Sequence, residues 1–336
     1  MTIRALITGI TGMVGSHLAD YLLANTDWDI FGLCRWRSPL DNIQHLLPRV
    51  NRKDRVFIVY GDLRDAVSMV DCVRQSQPDY VFHLAAQSFP KTSFAAPVET
   101  IDTNVTGTCN LMEAIRSSGF SPYIHVCSSS EVFGRVPIEK MPIDEDCTFH
   151  PASPYAISKV GTDLLGRFYA EAYGMKAMTT RMFTHTGPRR GDVFAESSFA
   201  KQIAMIEQNS IPPIVHVGNL DSLRTFADVR DAVRAYHMLL TVNPQPGEYY
   251  NIGGTYTCTI GDMLDTLLKK STVGGIEVRI DPDRLRPIDA DLQVPDTRKF
   301  TQHTGWKSQY TFDQTMNDLL DYWRDRVRSG TQFLSR

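Results

Sequence analysis

Tyr155 and Lys159, in the segment Ser153-Pro-Tyr-Ala-Ile-Ser-Lys159, are the residues whose types and spacing most directly suggest chemistry. On a helix, an interval of four puts both on one face. An ammonium there stabilises a phenolate and draws the tyrosine pKa from about 10 toward the working range. Such a tyrosine takes the proton of a sugar hydroxyl while hydride leaves the same carbon. The competing reading is an ordinary helix contact, because the spacing recurs by chance. Upstream, Cys127-Ser-Ser-Ser-Glu131 closes a strand pattern. Ser129 is placed there to hydrogen-bond the reacting hydroxyl, and Ser130 and Glu131 follow in the loop. Serines also cap backbone routinely, and Glu131 alone reads equally as an exposed loop carboxylate.

Hydride chemistry needs a nicotinamide, and the N-terminus offers a place for one. Thr8-Gly-Ile-Thr-Gly-Met-Val-Gly15 follows the first strand pattern and opens the first helix. Gly9, Gly12 and Gly15 permit a tight turn, a close backbone approach to pyrophosphate and close helix–strand packing, with Thr11 and Met13 between them. The helix N-terminus supplies unpaired N–H groups for the anion. After the second strand, where an NAD site usually carries an acid, the chain reads Cys34-Arg-Trp-Arg-Ser38. Arg35, Arg37 and Ser38 suit a 2′-phosphate, so the expected cofactor is NADP; solvated surface arginines are the alternative. Asp62 and Leu63 are expected to flank the adenine, and the small residues of Leu84-Ala85-Ala86 to let the cofactor pass.

These groups must be held by a regular scaffold. Apolar β-rich runs at Ala5–Thr8, Ile30–Cys34, Val56–Tyr60, Tyr80–Leu84, Ile124–Cys127 and Met178–Phe183 alternate with helical patterns. The helices are expected at Gly15–Ala24, Ala66–Gln75, Thr106–Ser117 and Pro154–Tyr173. Strand–helix alternation predicts an α/β fold, a Rossmann-like doubly wound parallel sheet with helices on both faces. Past Phe183, turn signals such as Pro188-Arg-Arg-Gly191 and Asn251-Ile-Gly-Gly254 divide shorter elements, which predicts a smaller, mixed α/β lobe. The expected division is 1–186 for the NADP-binding domain with the catalytic residues and 187–328 for a substrate lobe. The chain is expected to cross back between them, with 329–336 a loose tail.

Composition excludes several classes. The 336 residues carry 35 Lys and Arg against 38 Asp and Glu, a net charge of −3, so there is no basic footprint for nucleic acid or a membrane surface. The six cysteines include no Cys-x-x-Cys pair and the nine histidines no ligand spacing, so no metal is expected. His83 and His125 lie in apolar strand runs and read as satisfied interior residues. No run reaches the ~18 apolar residues of a membrane span, and a soluble cytoplasmic protein is the expectation.

Taken with the glycine cradle, the Ser129–Tyr155–Lys159 set resembles the short-chain dehydrogenase/reductase superfamily, in its extended, nucleotide-sugar-modifying branch. Within that branch the chain looks most like the GDP-mannose 4,6-dehydratases. Arg35-Trp-Arg-Ser38, Ala86-Gln-Ser-Phe89, Ser129-Ser-Glu-Val-Phe-Gly134, Pro188-Arg-Arg-Gly191, Gly218-Asn-Leu-Asp221 and Arg286-Pro287 carry the likeness. The resemblance implies that Glu131 removes the C5 proton and that Ser129 stands where threonine is usual. It further implies that Arg224 and Arg286 hold a diphosphate, with Lys201 a further candidate. Ser88, Lys91, Thr184 and Phe194 are expected around the sugar, His185 near the nicotinamide, and Arg190 near a cofactor phosphate or a neighbouring subunit. Thr184 replaces the asparagine usual in the family. Phe199-Ala-Lys-Gln202 and Arg224-Thr-Phe-Ala-Asp228 look more like the sister GDP-4-keto-6-deoxymannose reductases. A reductase, a dehydratase or epimerase on another nucleotide sugar, and a non-catalytic NADP sensor are therefore the competing functions. The superfamily's pairing of Thr106–Ser117 and Pro154–Tyr173 across a two-fold axis implies a homodimer or homotetramer.

Overall fold

The computed structural model describes residues 2–285 and 292–330. Six strands run in parallel: β1 (Arg4–Thr8), β2 (Asp29–Cys34), β3 (Val56–Tyr60), β4 (Tyr80–His83), β5 (Tyr123–Cys127) and β6 (Lys176–Met182). A short β7 (His185–Thr186) is followed by β8 (Ile214–Val217), β9 (Leu223–Asp228) and β10 (Tyr249–Ile252). The main sheet has the order β10-β6-β5-β4-β1-β2-β3. Buried on both faces, such strands read as continuous apolar runs, and Ala5, Leu6 and Ile7 are fully buried. The strand order reverses at β1, between β2 and β4, which opens a crevice at the strands' C-terminal ends.

Helices α1 (Met13–Asn25), α2 (Leu47–Arg52), α3 (Ala66–Ser76), α4 (Pro90–Ala95), α5 (Pro97–Ile101), α6 (Gly107–Ser118) and α7 (Pro154–Tyr173) intersperse the first six strands. They are followed by α8 (Ala195–Glu207) and α9 (Val229–Thr241). Leu18 and Leu22 of α1 pack with Val233 and Leu239 of α9 on one face of the sheet. Met69 of α3, Leu111 of α6 and Tyr169 of α7 pack on the other. Ser153 caps α7 by accepting from Ala156 N–H at 3.0 Å, Pro154 sits at its first position, and Gly174 ends it in the left-handed region.

The smaller lobe adds β11 (Tyr256–Thr259), β12 (Glu277–Ile280) and β13 (Leu292–Gln293) with α10 (Ile260–Lys269), α11 (Arg298–Thr304) and α12 (Phe312–Arg328). Its core joins Phe199 and Ile203 of α8 to Leu264 of α10 and Leu319 and Trp323 of α12. β9 carries β11 antiparallel and β13 parallel, while β10 leaves this lobe to pair with β6. Among the described residues no helix is long and apolar enough to cross a membrane. No metal-binding cluster occurs among them, and all six cysteines are unbridged.

Candidate active site

A large cleft runs along the C-terminal ends of β1, β2, β4, β5 and β6 and continues under the smaller lobe. Its cofactor end is set by two glycines. Gly9 has φ +75°, and a Cβ on it would lie 2.9 Å from the Ala85 Cα. A Cβ on Gly15 would lie 2.3 Å from the Gly9 carbonyl oxygen. The cradle therefore fits a group that needs backbone at close range, as a dinucleotide pyrophosphate does.

The opposite wall is held by Thr8, whose hydroxyl accepts the Leu84 and Ala85 N–H groups, each at 3.0 Å. Having accepted twice, that hydroxyl donates to His83 Nδ1 at 2.9 Å. His83 Nε2 then donates to Thr108 at 2.9 Å, since Thr108 donates to the Asn104 carbonyl. The amide of Asn42 braces the cradle by donating to the Thr11 carbonyl at 3.0 Å. Thr8, Asn42 and Asn104 were not foreseen as site residues; a lone threonine or asparagine leaves no spacing signal.

Gly9, Thr11, Gly12, Met13, Gly15, Arg35, Ser38, Asp62, Leu63, Leu84, Ala85 and Ala86 all line this half. Arg37 does not line it. Arg35 to Ser38 form a turn closed by Ser38 N–H on the Arg35 carbonyl at 2.9 Å, and Arg37 sits exposed at its outer side. Asp62 pairs with Arg64 at 2.8 Å, which holds its carboxyl below the usual range, chiefly through that hydrogen bond.

At the catalytic end, Ser129, Ser130, Glu131, Tyr155, Lys159, Thr184, His185 and Arg190 come together. Ser129 accepts the Glu131 N–H at 3.2 Å, capping the short turn Ser130–Phe133, and also hydrogen-bonds the Tyr155 phenol. The capping reading of that serine thus holds, and its hydroxyl also lies beside the phenol. Burial pushes the Tyr155 phenol above its ordinary value, opposed by the Ser129 hydrogen bond and the Arg190 charge, rather than toward the working range that the Tyr155–Lys159 spacing suggests. The same burial lowers Lys159, whose ammonium donates to the Cys127 carbonyl at 2.6 Å. His185 is lowered to about 4 by burial and by Arg190, so it stays neutral at pH 7. Arg190 pairs with Glu196 at 3.1 Å and lies 3.4 Å over the Phe194 ring.

Toward the smaller lobe the cleft is lined by Ser88, Lys91, Phe194 and Arg224. Phe89 and Phe194 meet edge to face at 5.5 Å. Arg224 on β9 lies 3.9 Å from Glu131. The Lys91 ammonium donates to the Asp283 carbonyl, and both residues line the cleft. Lys201 is off the wall: it is buried on α8 with its ammonium 2.8 Å from Asp192, and it is Asp192 that faces the cleft. Arg286 lies outside the described residues, as does the tail from 331 onward. On α7, the helix expected to pair with a second copy, Ile157, Leu164 and Phe168 are exposed, whereas Leu165 packs partly buried against the core.

The family model for GDP-mannose 4,6 dehydratase matches residues 6–319. The chain is 32% identical to the GDP-6-deoxy-D-mannose reductase of Pseudomonas aeruginosa, over 98% of this chain and 99% of that one. It is 30% identical to the GDP-mannose 4,6-dehydratase of Yersinia enterocolitica, over 94% of this chain and 92% of the relative. Among solved structures it resembles RMD from Pseudomonas aeruginosa complexed with NADPH, with a TM-score of 0.81, 29% identity, and coverage of 96% of this chain and 100% of the other.

Proposed function

Because the chain belongs to the GDP-mannose 4,6-dehydratase family of extended short-chain dehydrogenases/reductases, we propose that it converts GDP-mannose to GDP-4-keto-6-deoxymannose with bound NADP. The observation that carries this reading is Glu131, a carboxylate on the cleft wall beside Ser129 and Tyr155. Oxidation at C4 alone needs no such base; removal of a C5 proton does.

A nicotinamide held in the cradle supplies reversible hydride transfer. Gly9, Gly12 and Gly15 would hold its pyrophosphate, and Arg35 with Ser38 a 2′-phosphate. Ser129 orients the C4 hydroxyl, and Tyr155 Oη takes its proton, with the Lys159 charge favouring the phenolate. A ketone at C4 acidifies the C5–H bond. Glu131 removes that proton, and the C6 hydroxyl leaves as water after protonation by Glu131 or Ser130. The hydride taken from C4 would return to C6 and a proton to C5, so no net reduction occurs and turnover needs only catalytic amounts of cofactor. Arg224 supports the diphosphate, and the exposed Ile157, Leu164 and Phe168 of α7 support pairing with a second copy.

A second reading is favoured by the 32% identity to a GDP-6-deoxy-D-mannose reductase over nearly the whole of both chains. On it, Tyr155, Lys159 and Ser129 deliver a proton to a C4 ketone and Glu131 is idle. Glu131→Gln separates the two. On the dehydratase reading the variant still oxidises C4 in a single turnover, seen as reduced-nicotinamide absorbance, but eliminates no water. Undiminished reduction of the 4-keto sugar by that variant, with no dehydration by the wild type, establishes the reductase.

A further inference from the structure

Three cations near the substrate end of the cleft lie beside acids: Arg190 by Glu196, Lys201 by Asp192 and Arg224 by Glu131. In the third pair the acid is the proposed C5 base and the cation is the proposed diphosphate ligand. Arg224 is 8% exposed, and the Glu131 side chain 19%. At 3.9 Å the two attract without forming a hydrogen bond, so the pair is loose by the standard of the Arg–Asp contacts elsewhere in the fold.

We infer that Arg224 exchanges Glu131 for the substrate's diphosphate on binding, so that nucleotide binding and the charge environment of Glu131 are coupled. This rests on the dehydratase reading for the role of Glu131. The chemistry of a pyranose makes the two positions neighbours: C1 carries the phosphate, C5 carries the proton, and both are bonded to the ring oxygen. A carboxylate at C5 and a guanidinium at the C1 phosphate are therefore within reach of each other. A planar guanidinium binds phosphate oxygens in a bidentate, charge-assisted way, which outcompetes a carboxylate at 3.9 Å. After the exchange Glu131 faces the Tyr155 phenol from α7, Ser129 and Ser130 on its own loop, and an anionic ligand.

The test is a double-mutant cycle on GDP affinity, measured by calorimetry on the NADP-loaded protein without turnover. Glu131→Gln removes one competitor for Arg224 and is expected to tighten GDP binding about three- to tenfold while abolishing water elimination. Arg224→Gln is expected to weaken GDP binding. Adding Glu131→Gln to Arg224→Gln is expected to change affinity by less than about twofold. Unchanged or weaker binding in Glu131→Gln overturns the exchange. Equal tightening with and without Arg224 also overturns it, since that is plain repulsion between Glu131 and phosphate. GDP affinity indifferent to Arg224→Gln overturns instead the diphosphate assignment beneath it. A full coupling in a protein that eliminates no water retires the base role and leaves the exchange standing. NADP affinity of each variant verifies the fold, and Arg224→Met replaces Arg224→Gln should the latter not fold.

Discussion

Two buried histidines near Lys159 make acid stability a quantitative test of the packing. His83 and His125 are both lowered to about 3, first by burial and then by neighbouring charge, Lys159 on both and His83 on His125. In the unfolded chain each titrates near the ordinary histidine value of 6.5. With the folded value depressed, the unfolded state binds more protons below pH 6.5, so stability falls as the solution is acidified. Integrated from pH 7 to pH 5, each histidine costs about 2 kcal/mol, or ~4 kcal/mol for the pair. His17 and His185, each lowered to about 4 chiefly by burial, add a similar loss in the same window, so a single-histidine variant is needed to isolate one of the pair. The structural reason is specific at His83. Its Nδ1 receives the Thr8 hydroxyl, and a proton there would disrupt the wall formed by Leu84 and Ala85. His125 has only one ring partner, Thr180 at 2.7 Å, while its Nδ1 finds none among the described residues. The assay is urea unfolding followed by circular dichroism at half-unit pH steps, for wild type and His125→Gln. The variant is expected to be less stable at pH 7 but to lose about 2 kcal/mol less on acidification. Wild-type stability that stays flat between pH 7 and pH 5 refutes the burial argument.

Three further outcomes are expected. Gly15→Ala puts a methyl 2.3 Å from the Gly9 carbonyl oxygen, and a backbone shift at about 1–3 kcal/mol follows; nicotinamide-nucleotide affinity is expected to fall at least tenfold, and wild-type affinity by fluorescence titration contradicts this. Arg35→Asp is expected to move cofactor preference from NADP toward NAD, and an unchanged ratio of the two affinities removes Arg35 from the 2′-phosphate. Asp163→Asn breaks the buried contact with Arg181, whose Nε–Oδ2 distance is 2.9 Å. Removing one partner of such a pair costs about 3–5 kcal/mol, and a loss below ~1 kcal/mol in denaturant titration shows that the site relaxes.

The scaffold of the cofactor half was legible because parallel strands buried on both faces must be apolar throughout. Val56–Tyr60 and Pro154–Tyr173 are found at the bounds the sequence suggests, the latter because Ser153, Pro154 and Gly174 mark its ends chemically. β10 was harder. Its residues Tyr249–Ile252 lie between Gly247 and Gly253, and nothing in so short a run names β6 as its partner. The glycine cradle and the Ser129, Tyr155 and Lys159 positions follow from local spacing and converge on one cleft. Arg37 and Lys201 did not, because sequence supplies a charge but not its direction: one lies outside a turn, the other is paired with Asp192. The proximity of Arg224 to Glu131 joins β9 to the loop after β5 and could be seen only once the chain was folded.

The most direct test of the account is turnover of GDP-mannose by the purified protein with NADP at less than one equivalent. The account predicts many turnovers, a product lighter by one water, no net change in cofactor oxidation state, and loss of that product in Glu131→Gln. A folded, cofactor-loaded protein that returns GDP-mannose unchanged, yet consumes NADPH when given the 4-keto sugar, contradicts the dehydratase assignment.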